Sequence, residues 1–455
     1  MITLQLSEIA TILTVKKPTQ DATIQGVSSD TRTLSKGNLY IAIRGEQFDG
    51  HDFIKEAMQK GAAAAIVSRA IDSPLPQIIV NDTIEALGKL AANWRERFSL
   101  PLIGVTGSNG KTTLKNMIAS ILRAACHNDA TQALATEGNL NNNIGLPLNL
   151  LRLNQSHRYA VLEMGLNHFG EMAYLSNIAK PTVAAINNAA SAHLEGLEDV
   201  AGVARAKGEI FTALNKKGTA ILNRDDAFFD YWKTLLNGQQ IISFGFDASA
   251  NVTAQFGENQ QTTIITPKGN ITIKLPLLGR HNVMNALAAA AATLAVGIDL
   301  NAIKMGLENV TPAPGRLRQH QLKNNLRIID DTYNANPASV NAAINTLATI
   351  GGTKILILGD MRELGPEASA LHFSIGQSAK SAGIHHLFTF GELSQQATKA
   401  FGNHAQHFTD RDTLVQAVQP YLAENTTILV KGSRSMHMEK IIAQLVPEAS
   451  TDHAH

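Results

Sequence analysis

Lys111 and Thr112 close the stretch Thr106-Gly-Ser-Asn-Gly-Lys-Thr-Thr113, directly after the apolar run Leu102–Val105. The run reads as a buried strand that turns through Gly107 and Gly110 into a helix with Met117, Ile118, Ile121 and Leu122 at helical spacing. Strand, glycine turn and helix N-terminus together form a phosphate cradle. Glycines let backbone N–H groups approach an anion, and the helix end adds positive potential. The Lys111 ammonium can reach terminal phosphates, and the Thr112 hydroxyl can join a Mg²⁺ shell. The strict P-loop pattern has glycine where Val105 stands, so this loop is a variant. The plainer alternative is a tight strand–helix turn with a surface lysine. The complete strand–loop–helix context favours a bound nucleoside triphosphate.

Other residues able to do chemistry lie at strand ends, where open α/β sheets hold ligands. Glu163 ends Ala160-Val-Leu-Glu163, and His193 follows Val183–Ile186 after a polar loop. A carboxylate and an imidazole there can share a divalent metal with Thr112. Taken alone, His193 reads as an ordinary surface or core histidine, and Lys207 as a helix lysine among apolar neighbours. The asparagine-dense segment Gly138–Gly145 offers uncharged hydrogen-bonding groups to a peptide, or is simply a solvated loop. Asp330-Asp-Thr-Tyr-Asn-Ala-Asn-Pro337 ends a strand, and its carboxylates can accept from ribose hydroxyls. Val430-Lys-Gly-Ser-Arg434 ends another strand with two cations, as expected around an anion.

These residues need a large scaffold to position them. A chain of 455 residues accommodates roughly three domains. Residues 1–83 read as a mixed segment: a helix near Leu6–Leu13, strands at Asn38–Ile43, Ala63–Val67 and Gln77–Val80, and a helix near Phe53–Lys60. Its polar loops Ser28–Arg32 and Arg44–Asp52 are ligand-binding candidates or plain turns. Residues 84–312 alternate strand and helix around the phosphate loop, with a hairpin turning at Pro267–Asn270 and an alanine-rich helix after Gly279-Arg-His-Asn282. Thr311-Pro-Ala-Pro-Gly-Arg316 breaks the periodicity and reads as a linker. Residues 313–455 form a second, smaller Rossmann-like sheet. The fold class is therefore α/β in three domains.

Composition excludes several functions. Formal net charge is +1 and aromatic content 5%, which argues against a nucleic-acid partner. The longest apolar stretch, Ala286–Val296, is too short to span a bilayer. The single cysteine, Cys126, and an N-terminal segment without a secretory pattern suit the cytoplasm. The polar tail after Val446 reads as frayed.

The combination of Thr106–Thr113, Glu163, His193, Lys207, Gly279-Arg-His-Asn282 and Asp331, in this order, resembles the Mur ligases, ATP-dependent amide-forming enzymes of peptidoglycan precursor synthesis. The resemblance covers essentially the whole chain. Asp331–Pro337, Leu358-Gly-Asp-Met-Arg-Glu-Leu-Gly365 and Lys431–Arg434 resemble the members that add D-alanyl-D-alanine to a UDP-N-acetylmuramoyl-tripeptide. The Asp-Asn-Pro-Arg signature of the diaminopimelate adders is absent.

The resemblance implies roles. Gly107, Ser108, Asn109, Gly110, Lys111, Thr112 and Thr113 hold the ATP phosphates. Thr112 and Glu163 bind one Mg²⁺, while His193 and a carbamylated Lys207 help to bind a second. Asn282 contacts adenine, Arg316 the phosphates and Asp331 the ribose. The UDP end of the substrate is read by Ser28, Asp30, Arg32, Gly45, Phe48, Asp49 and Gly50. Asn139, Asn142 and Asn143 line the path of its peptide, and Tyr333, Asn334 and Asn336 lie where the dipeptide approaches. The catalytic set is Lys111, His193 and Lys207, in a monomer that closes about Pro312–Gly315. A folylpolyglutamate-synthase-like ligase shares the loop and the chemistry but starts close to its phosphate loop. A nucleotide-driven switch expects an aspartate after an apolar run, where this chain has Glu163.

Overall fold

The computed structural model describes residues 1–191, 194–258 and 261–446. His193 and the tail beyond Val446 lie outside the described residues.

The phosphate-loop strand Leu102–Thr106 sits inside a six-stranded parallel sheet. Its neighbours are Tyr159–Glu163 on one side and Val183–Ile186 on the other. Thr219–Asn223 and Gln240–Phe244 continue past Val183–Ile186, and Ala133–Ala135 forms the opposite edge. Side chains alternate between the two faces of a strand, and the cores follow that alternation. Leu102, Leu162 and Ile186 pack with the helix Thr83–Glu96 and with the N-terminal segment. Ile103, Val105 and Val161 pack against the phosphate-loop helix Lys111–Ala125 and the alanine-rich helix Arg280–Ala295. Small side chains let helices approach closely. A Cβ on Gly306, in the helix Leu300–Glu308, would lie 2.3 Å from the Ile121 Cα.

The N-terminal region contains the parallel sheet Val27–Ser28, Leu39–Ile41, Ala64–Val67 and Gln77–Ile79, and an antiparallel pair Thr3–Gln5 with Thr23–Gln25. The hairpin Gln261–Thr266/Gly269–Lys274 turns through Pro267-Lys268 and gains a third strand, Thr253–Phe256, absent from the sequence reading.

The C-terminal sheet runs Arg318–Gln321, Arg327–Asp331, Thr426–Lys431, Thr353–Gly359, His386–Phe390, Ala405–Phe408. All its pairs are parallel except the first. Gly315 and Arg316 lead into that antiparallel edge strand, so the segment read as a linker carries its arginine to the sheet margin. No helix among the described residues is long and apolar enough to cross a membrane.

Candidate active site

The phosphate loop is held by asparagines. Gly110 stands at φ +78°, and a Cβ there would meet the side chains of Asn285 and Asn187 at 2.6 and 2.7 Å. Only glycine fits. The Ser108 N–H donates to the Asn188 carbonyl (3.0 Å) and the Asn109 N–H to Asn188 Oδ1 (2.9 Å). Asn187 Nδ2 donates to the Asn109 carbonyl (2.9 Å) and to Asn285 Oδ1 (2.8 Å). Lys111 Nζ donates back to the Gly107 carbonyl at 2.7 Å. Burial pushes the Lys111 pKa below the ordinary lysine value, against the opposing pull of Glu163.

Glu163 lies in register with Val105 on the adjacent strand, which sets its carboxylate beside the loop. One carboxylate oxygen accepts from Asn141 Nδ2 at 2.8 Å. The other, with Thr106 Oγ1 and Asn187 Oδ1, is buried without a hydrogen-bond partner among the described residues. A buried carboxylate oxygen left unpaired, on a residue that lines the same cleft as Thr112, fits a hard cation, which takes oxygen ligands. Lys207, in the helix Val200–Gly208, is 1% exposed. Its pKa falls well below the ordinary lysine value, first through burial and then through the Lys111 charge. A lysine so placed has an accessible neutral amine.

The C-terminal sheet faces the loop across a cleft of about 1020 Å³. Asp331 and Lys431 end neighbouring strands in register and form a 2.6 Å ion pair. Lys431 is therefore committed to Asp331 and to the Asn334 carbonyl (2.9 Å), and Arg434 is the freer cation of that strand end. Burial raises the Asp331 pKa, with Lys431 and Arg316 opposing. Burial also lowers that of His281 to about 4, helped by Lys431, so His281 is neutral near pH 7. Arg316 Nη2 donates to Thr112 Oγ1 at 3.0 Å, and its guanidinium lies 4.0 Å from the Tyr333 ring centroid. Asn336 Nδ2 donates to Asn109 Oδ1 at 2.8 Å. Two C-terminal side chains thus touch the phosphate loop and the first turn of its helix directly.

Family models match in three consecutive pieces: "Mur ligase family, catalytic domain" over residues 23–95, "Mur ligase middle domain" over 105–293 and "Mur ligase, glutamate ligase domain" over 315–434. The UDP-N-acetylmuramoyl-tripeptide–D-alanyl-D-alanine ligase of Escherichia coli (strain K12) is 43% identical over 98% of this chain and 99% of its own length. The chain belongs to the Mur ligase family. Among solved structures, MurF from Acinetobacter baumannii superposes with a TM-score of 0.90 at 35% identity, covering 98% of this chain and 99% of that one. MurF ligase from Thermotoga maritima in complex with ADP gives 0.81 at 26% identity, covering 94% and 98%.

In this Mur ligase the cleft gathers Ser108 to Thr113, Glu163, Asn282, Arg316, Asp331, Tyr333, Asn334, Asn336, Asn139 and Asn142. Asn143, which is exposed, and Gly107 and Lys207, which are not, do not line it. The Asn142 oxygen accepts from the Gly145 N–H (2.9 Å) and so also starts a helix. Asn282 Nδ2 donates to the Leu278 carbonyl at 2.7 Å, which leaves its amide partly committed to structure.

The N-terminal loops form a separate place. Asp30 and Arg32 pair at 2.7 Å, and Ser28 Oγ donates to the Asp30 carbonyl (2.9 Å). The Gly50 N–H donates to the Ile43 carbonyl at 2.8 Å, while Asp49 is shared between His51 and Arg69. Gly45 and Phe48 are exposed. None of these residues lines the central cleft. The sequence pointed to Asn141 only as part of the asparagine-dense segment Gly138–Gly145 and gave no role to Asn187, Asn188 or Asn285. The glycines they approach were the available signal.

Proposed function

We propose that this chain joins D-alanyl-D-alanine to UDP-N-acetylmuramoyl-tripeptide, using ATP and passing through an acyl phosphate. The observation that carries the reading is the end-to-end similarity, 43% identity over 98% of the chain, to a ligase of that name. The cleft supports it, because a phosphate loop faces a second sheet across a space wide enough for a nucleotide and a peptide end. The chain divides as residues 1–83 for the UDP end, 84–312 for ATP and 313–455 for the incoming dipeptide. It works in the cytoplasm as a monomer.

A carboxylate is a poor electrophile at neutral pH. Transfer of the γ-phosphoryl group to the tripeptide carboxylate makes a mixed anhydride with a good leaving group. The dipeptide amine attacks its carbonyl carbon, a tetrahedral adduct forms, and phosphate departs. The protein mainly positions groups and neutralises spread negative charge. The loop from Gly107 to Lys111 cradles the phosphates, its Ser108 and Asn109 N–H groups being held by Asn188 rather than offered to the anion, and the Lys111 ammonium meets the charge on the transferring group. Arg316 reaches the same phosphates from the C-terminal side. Thr112 and Glu163 would hold Mg²⁺, with His193 and a carbamylated Lys207 at a second ion. Bound Mg²⁺ supplies charge neutralisation to the phosphoryl oxygens. Asp331 accepts from the ribose and Asn282 reads the adenine. Tyr333, Asn334 and Asn336 border the dipeptide, and Asn139 and Asn142 the tripeptide. The contact of Arg316 and Asn336 with the loop draws the two domains together, which excludes water from the acyl phosphate.

Acceptor competition tests the assignment. D-Alanyl-D-alanine should be used far better than meso-diaminopimelate or L-glutamate at equal concentration. Equal rates with either would show that the acceptor has been misassigned.

A further inference from the structure

A second cavity, of about 670 Å³, lies behind the phosphate-loop helix and shares no lining residue with the central cleft. One wall is the outer face of that helix, with Lys115 and Arg123. A second is the edge strand Ala133–Ala135 and its flanks, with Thr136, Glu137 and Arg152. The third is the linker, residues 309–314. The lining side chains bring three cations, Lys115, Arg123 and Arg152, against one carboxylate, Glu137. That carboxylate is already paired with Arg152 at 2.5 Å. His157 also lines the cavity, and burial disfavours its charged form.

Lys115 is the decisive group. It is 6% exposed, yet its ammonium has one hydrogen-bond acceptor among the described residues, the Thr136 carbonyl at 3.0 Å. An ammonium carries three donors, and a buried cation is costly unless paired and hydrogen-bonded. Burial lowers the Lys115 pKa from the ordinary lysine value, with Glu163 opposing from the side of the central cleft and the Arg316 and Arg123 charges adding to the effect of burial. The remaining demand faces a polar cavity that carries an excess of positive charge.

We propose that this cavity is a binding site for a compact oxyanion, phosphate- or carboxylate-bearing. Such an anion would bridge the phosphate-loop helix and the linker. That linker runs directly into Gly315 and into Arg316, which touches Thr112. An occupant would therefore steady the segment about which the domains move.

The test uses the full chain saturated with Mg²⁺ and a non-hydrolysable ATP analogue, so that the phosphate positions of the central cleft are filled. Inorganic phosphate, and malonate in a parallel series, are titrated calorimetrically at ionic strength fixed with sodium chloride. Saturable one-site binding of at least one anion is expected, and the arm that binds identifies the chemistry read. Arg123 is exposed and belongs to no step of the reaction. Arg123→Glu should weaken binding at least tenfold without moving the melting midpoint. Arg123→Ala should weaken it less. Absence of saturable binding in both arms, or equal affinity in Arg123→Glu, would overturn the proposal.

Discussion

Lys111 donates to the Gly107 carbonyl of its own loop, which holds its ammonium against that loop. On the proposed mechanism its charge matters most as negative charge spreads over the transferring phosphoryl group. Lys111→Ala should therefore cost on the order of 10²–10³ in kcat, several kcal/mol of transition-state stabilisation, with the circular dichroism spectrum unchanged. Turnover within about tenfold of the parent would remove Lys111 from the mechanism. Lys207 poses the opposite question of sign. Buried beside Lys111, it is a poor place for a second ammonium. A neutral amine there can add CO₂ to become a carbamate with two acceptor oxygens, suited to Mg²⁺. On this account Lys207→Ala regains activity with acetate or formate, and Lys207→Arg stays inactive because arginine keeps its charge. An active Lys207→Arg, with no rescue of Lys207→Ala, would make Lys207 a simple cation. At this scale the sequence revealed groups at strand ends and in the loop, because local pattern alone places them. Asn141 and Lys115 were not legible. Their partners, Glu163 and the Thr136 carbonyl, lie 22 and 21 residues away and meet them only in the folded sheet.

Among the elements, the helix Pro337–Ala348 shows how one residue can serve two levels. Asn336 caps it: its Oδ1 accepts from the Ser339 N–H at 2.9 Å, while Ser339 Oγ accepts from the Asn336 N–H. Its Nδ2 simultaneously reaches Asn109 in the phosphate loop. Serine is an equally good cap but too short to span to Asn109. Asn336→Ser should thus melt within a few degrees of the parent while small-angle scattering reports a larger radius of gyration. An unchanged radius would mean that this bond does not hold the domains together. The strands flanking the phosphate loop were legible as apolar runs because both of their faces are buried. Val27–Ser28, Ala133–Ala135, Thr253–Phe256 and Arg318–Gln321 were not. They are two to four residues long, and the last two carry mostly polar or exposed side chains at sheet edges. Such strands form because a neighbouring strand offers its hydrogen bonds, and no local pattern records that.

Across the whole molecule, the groups proposed to bind substrate are distributed between two places. The Ser28–Arg32 and Arg44–Asp52 loops stand apart from the central cleft, where phosphate loop and C-terminal sheet face each other. On the proposed function a long donor substrate is gripped at one end and activated at the other, and the contacts of Arg316 and Asn336 with the loop would shelter the acyl phosphate. This arrangement requires that ATP cleavage be tied to complete assembly of the site. The most direct measurement is phosphate release from ATP by the purified chain with each substrate omitted in turn. Sustained release should need both UDP-N-acetylmuramoyl-tripeptide and D-alanyl-D-alanine and should match pentapeptide formation one for one. Sustained release at a comparable rate with either substrate missing would contradict the account.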